Sequence, residues 1–102
     1  MPQAAQTRFS QAIRTEYIGP TNFKGSRIKA TCDRGSLTIS YPSELSGEAC
    51  HIHAVDRLVA KFVAEDVKKY GSDPATNPWN GLRVAGMLHD GTMAHVYMEG
   101  VK

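Results

Sequence analysis

Hydrophobic and polar residues alternate most cleanly between Ser26 and Pro42. Ile28, Ala30 and Cys32 interleave with Arg27, Lys29 and Thr31. Beyond Arg34-Gly35, Leu37, Ile39 and Tyr41 interleave with Ser36, Thr38 and Ser40. A period of two marks a strand with one buried face. With Arg34-Gly35 as the turn, Cys32 faces Leu37, Ala30 faces Ile39 and Ile28 faces Tyr41. A slip of one residue would bury Lys29 and expose Ile39, so the two faces are well determined. Upstream, Phe9, Ile13 and Tyr17 set against Ser10, Ala12, Arg14 and Glu16 predict a first strand that ends at Gly19-Pro20. Consecutive strands of this kind form an antiparallel meander.

From Ser46 to Tyr70 the period changes to that of a helix. Ile52, Val55, Leu58, Val59, Phe62 and Val63 form one apolar stripe, with Arg57, Lys61 and Lys68 opposite. The span is about six to seven turns at helical pitch. Ser46 is the expected N-cap, its hydroxyl accepting from a first-turn amide. Glu48 suits the positive end of the helix dipole, and Lys68 and Lys69 the negative end. Gly71 is the expected left-handed stop, with Pro74 beyond it. Asp66 points to the edge of the stripe, so the last turn and a half is expected to leave the sheet.

A second hairpin runs from Leu82 to Leu88 and from Met93 to Met98, around the turn signal Asp90-Gly91. That turn puts Ala85, Met87, Ala94, Val96 and Met98 on one face, and Val84, Leu88, Met93, His95 and Tyr97 on the other. Apolar side chains on both faces imply that the hairpin is covered twice or meets a partner. The order is βββαββ. It predicts an α+β two-layer sandwich, a mainly antiparallel twisted sheet with one long helix on one face.

Length and charge narrow the function more than the fold. The 102 residues are enough for one domain, 1–102, with 1–8 a loose lead-in and 71–81 an internal loop. A net charge of +2 is too small to mark bulk attraction to nucleic acid or a membrane surface. No run of apolar residues is long enough to span a membrane. The first residues lack the apolar segment of a secretory signal. The two cysteines, Cys32 and Cys50, are therefore expected as reduced thiols in a cytoplasm.

Candidate chemistry is sparse. Cys50, His51 and His53 cluster at the helix start, but positions 51 and 53 diverge by about 200° around a helix. No zinc spacing appears, so no metal or other cofactor is expected. Cys50 beside His51 admits a small thiol- or metal-dependent enzyme. Cys50 is expected on the polar side of the helix, however, with His51 turned to the stripe, and no triad spacing or phosphate loop supports catalysis. A basic strip of Arg14, Arg27 and Lys29, with Lys24 and Arg34 at its ends, offers a nucleic-acid surface on which only Phe23 is free to stack. The plain alternative is a solvated sheet face whose charges discourage aggregation. Trp79, in Asn77-Pro78-Trp79-Asn80, is expected to pin the irregular loop to the core; exposed, it would anchor an interface.

Gly25-Ser26-Arg27-Ile28-Lys29-Ala30, Tyr41-Pro42 followed by Leu45-Ser46-Gly47, Asn77-Pro78-Trp79, and Asp90-Gly91 leading to Ala94-His95-Val96 carry a resemblance. Together they span most of the chain. It resembles small accessory proteins of integrative and conjugative elements, plasmids and prophages of proteobacteria. None of these segments is a catalytic motif. The resemblance implies a setting, a bacterial cytoplasm, and a manner of action. Such products are often antagonists of host defence, anti-CRISPR proteins among them, which occupy a surface of a larger complex. Many are acidic DNA mimics, and this mildly basic chain departs from them.

The leading expectation is a non-enzymatic protein of a mobile element that binds a host or element-encoded protein complex, with no membrane partner. Its candidate surface comprises Phe23, Lys24, Trp79, Leu88, His95 and Tyr97, and a homodimer is one form that contact can take. The alternative is a nucleic-acid-binding module using Arg14, Lys24, Arg27, Lys29 and Arg34.

Overall fold

A computed structural model describes residues 12–42, 44–45 and 47–97. Its elements are β1 (Ala12–Ile18), β2 (Arg27–Cys32), β3 (Gly35–Ser40), α1 (Glu48–Tyr70), β4 (Arg83–Met87) and β5 (Met93–Tyr97). The strands form one sheet in the order β3-β2-β1-β5-β4, antiparallel at every junction. The helix lies on one face, which is the expected α+β two-layer sandwich. The two hairpins join through β1 and β5, where Ile13 is opposite His95 and Thr15 opposite Met93.

The first hairpin keeps the expected faces with a different register. Cys32 is opposite Gly35, Ala30 opposite Leu37 and Ile28 opposite Ile39, so the turn is Asp33-Arg34 rather than Arg34-Gly35. The shift is two residues, and side chains alternate with period two, so every residue stays on its predicted side. Gly35 then lies against Phe62, whose ring would stand 3.5 Å from an added Cβ.

The second hairpin differs by one residue, and there the consequence is larger. Leu88 N donates to Thr92 O at 2.7 Å and Gly91 N to Leu88 O at 3.0 Å. The loop is therefore the three residues His89, Asp90 and Gly91, with Gly91 at φ +87°. A type I turn closed by a left-handed glycine gives this geometry. The odd shift turns β4 over relative to β5. Val84 now pairs with Val96 on the outer face, while Ala85 and Met87 lie opposite His95 and Met93. Met98 and Phe9 lie outside the described residues, as do residues 1–8.

The helix ends as expected, Gly71 adopting the left-handed conformation with its N–H on Val67 O. Its start does not. Gly47 occupies the cap position without a side-chain bond, and Ser46 lies outside the described residues. The buried residues are Cys50, His51, Ala54, Val55, Leu58, Val59, Phe62 and Val63. Cys50, expected on the polar side, is fully buried, and Ile52, expected in the stripe, is exposed. The buried arc moves round the helix along its length, as it must when a straight helix crosses a twisted sheet.

Residues 71–81 are more ordered than an irregular loop. They hold two short 3-10 turns, Pro74–Thr76 and Pro78–Asn80. Asp73 and Asn77 cap them by accepting from the Ala75 and Trp79 amides, and each turn has a proline at its start. Trp79 packs on Phe62 and edge-on to Tyr97, whose hydroxyl donates to Trp79 O at 2.8 Å. The tryptophan is buried and pins the loop, the favoured expectation.

Candidate functional site

Three features concentrate chemistry. The first is a buried polar bridge between the two layers. Thr15 Oγ1, fully buried on β1, stands 2.7 Å from His51 Nδ1 on the helix and 2.9 Å from His95 Nε2 on β5. A hydroxyl carries one proton, so it donates to one imidazole and accepts the N–H of the other. Burial holds His95 down to about pKa 4, with nearby Arg83 and His51 acting in the same direction. Burial also lowers His51. Both rings are thus neutral at pH 7; His51 ties the helix to the sheet, and His95 ties β5 to β1 within it. Arg83, at the start of β4, pairs with Asp56 on the helix. Sequence periodicity misses Thr15 because a polar residue at an inward position reads as a break in the pattern.

Cys50 and His51 are turned to different partners. The Cys50 thiol contacts Pro42 O at 3.8 Å, whereas the His51 ring is committed to Thr15. His53 is half-buried and His89 exposed. Among the described residues, no group of histidine, cysteine and carboxylate side chains converges as metal ligands would.

The second feature is the Arg34 junction. Its guanidinium donates to both Asp66 oxygens, at 2.7 and 3.3 Å, and to Phe62 O at 3.2 Å, while stacking over the Phe62 ring. Asp66 also accepts from Asn77 Nδ2 at 2.8 Å, and the Arg34 bonds hold its carboxyl below the usual carboxylate range. The β2–β3 turn, the end of the helix and the 71–81 loop meet here. The adjoining cleft, about 800 Å³, mixes Glu65, Asp66 and Asp73 with Arg34 and Lys69. Arg34 is therefore turned to the helix side and cannot extend the predicted basic strip.

The third feature is the surface. Of the residues expected to bind protein, Phe23, Lys24 and Leu88 are exposed. Trp79, His95 and Tyr97 are buried and belong to no surface: Trp79 packs on Phe62, and pairing with β1 sets His95 beside buried Ile13, on the helix side of the sheet. Among the described residues, what lies open instead is β4, one of the two sheet edges, where Val84 and Met87 are more than half exposed, flanked by exposed Leu82 and Leu88 and by Val96 of β5. The expected nucleic-acid strip is also divided. Lys29 stands opposite Glu16, and Arg14 reaches Asp90. Lys24 and Arg27 alone share a cleft, at the far end of β2.

Among the described residues, no helix is long and apolar enough to cross a membrane. No protein-family model, curated protein or solved structure matches this chain.

Proposed function

We propose that this chain is a non-enzymatic binding protein that acts by occupying a surface of a larger protein complex. The observation that carries this reading is the β4 edge, where Val84 and Met87, flanked by Leu82 and Leu88, stand exposed on a strand that has one unpaired side among the described residues. Edge strands are normally guarded by charges, proline or a covering segment. Arg83, the one charge on β4, is drawn back to Asp56 and guards nothing. Gly86 leaves open space over the strand. A partner strand can add its backbone bonds here while its side chains meet Val84. The resemblance to accessory proteins of mobile elements supplies the setting, in which the partner is a bacterial defence assembly such as a CRISPR effector complex.

The test is recovery of a stable complex from bacterial lysate by the wild-type chain and by a Val84→Lys, Met87→Glu variant. The wild type should retain one assembly of defined composition, and the variant should lose it with an unchanged circular dichroism spectrum. Equal recovery by both proteins, or no assembly with either, overturns the reading.

A further inference from the structure

At the end of β2 away from the Asp33-Arg34 turn, a cleft of about 540 Å³ is lined by Lys24, Gly25, Ser26, Arg27, Ser40 and Tyr41. Two cations and several hydroxyls face it, and among the described residues no carboxylate lines it. Ser26 shares a 2.8 Å hydrogen bond with Tyr17, whose ring packs edge-on to Tyr41, so this wall is built rather than loose. Two cations lining one cleft with hydroxyls beside them are suited to an oxyanion with several acceptor oxygens.

Next to the cleft stands an aromatic ring that the core does not use. Phe23 is 94% exposed. It is nevertheless fixed by its backbone. Thr21 N donates to Lys24 O at 2.7 Å, and Thr21 Oγ1 accepts from Phe23 N at 3.2 Å and Lys24 N at 3.0 Å. This tight turn presents the ring to solvent one residue from a cleft cation. A large apolar side chain held out in this way has a use when a flat ligand covers it.

The geometry points to a nucleotide-binding site, in which Lys24 and Arg27 hold a phosphate and Phe23 stacks on the base. The ligand chemistry is a phosphate tethered to a planar ring, either as a unit of single-stranded nucleic acid or as a free nucleotide. Phosphate attraction alone would not require the aromatic, and stacking alone would not require paired cations. The site is separate from the β4 edge, so it stands or falls independently of the protein-binding proposal.

The probe is a fluorescently labelled ten-residue oligothymidylate, followed by anisotropy at low and moderate salt. Wild-type binding should weaken as salt rises. Lys24→Glu with Arg27→Glu should reduce affinity at least tenfold. Phe23→Ala should reduce it severalfold without changing the salt slope, since the ring carries no charge. A variant with the same charge change elsewhere, Arg57→Glu with Lys68→Glu on the exposed helix face, should bind nearly as the wild type does. Competition by adenosine monophosphate at its own saturating concentration assigns a free nucleotide, and failure to compete assigns a strand; either supports the site. Absence of probe binding, equal loss in the helix-face variant, or wild-type affinity in Phe23→Ala overturns it. Circular dichroism checks that each variant is folded.

Discussion

Replacing Thr15 by valine keeps the side-chain shape and removes one oxygen. Hydrophobicity alone predicts a gain, since valine is a good strand residue at a fully buried position. The hydrogen bonds predict the opposite. Both ring nitrogens that meet Oγ1, at 2.7 and 2.9 Å, lose their partner at once. An orphaned buried polar group costs about 1–3 kcal/mol. His95, 2% exposed, has no access to water, whereas His51, 9% exposed, has a little. The expected destabilisation is therefore about 2–4 kcal/mol, a large part of the roughly 5–15 kcal/mol that holds a domain together. For a chain of this size each kcal/mol is worth about 4–8 °C in Tm. Thr15→Ser retains the oxygen and loses a methyl, at about 1 kcal/mol. Urea unfolding at pH 7 should rank wild type above serine and serine above valine. A valine variant as stable as wild type, or more stable than serine, would refute the bridging role of Thr15.

Other outcomes follow from the same structure. The folded-state pKa of His95 is lowered to about 4 from an ordinary 6.5, so the unfolded chain takes up a proton that the folded chain resists. Stability should be full above pH 6.5 and fall progressively down to about pH 4, by about 3 kcal/mol. His51 contributes in the same direction, and His95→Gln should flatten the profile measured by urea midpoint against pH. Trp79→Ala should cost about 3–5 kcal/mol by emptying the site between Phe62 and Tyr97, read from thermal melts followed by circular dichroism. Gly91→Ala should cost about 1 kcal/mol by backbone strain alone, since φ is +87° and nothing lies within 4 Å of the added Cβ. Val84→Lys should leave stability within about 0.5 kcal/mol of wild type, as for an exposed position, while reducing association through the sheet edge.

Local periodicity carried the fold class, the helix span and the faces of β2 and β3. It succeeded there because each buried face is a repeating row, and a two-residue error in register leaves such a row intact. It failed at the second hairpin for the converse reason. Asp90-Gly91 is compatible with a two-residue or a three-residue loop, and the difference of one residue turned β4 over; His95 and Tyr97 left the candidate surface because pairing with β1 sets the face of β5 that carries them on the helix side. Residues 71–81 read as an irregular loop, and the two capped turns, Asp73 before Pro74 and Asn77 before Pro78, emerged only in the structure.

The candidate sites were less legible because they depend on residues far apart in the chain. Thr15, His51 and His95 meet only after β5 has paired with β1, which no local pattern encodes. Arg34 read as one more cation of a basic strip until the helix brought Asp66 and Phe62 to it. Lys24, Arg27 and Phe23 were each visible as candidates, but the turn and cleft that group them arise from the meander closing around Tyr41. By itself the sequence determined which elements form and which side of most of them is wet, because short-range sterics and alternation act within a few residues. Only the tertiary structure decided that β4 stands at an edge of the described sheet, that the two neutral histidines are tied through one hydroxyl, and that Lys24 and Arg27 line one cleft while the other cations of the expected strip are drawn elsewhere. Those outcomes depend on strand order and on pairing between distant segments, whose energies belong to no single stretch of chain.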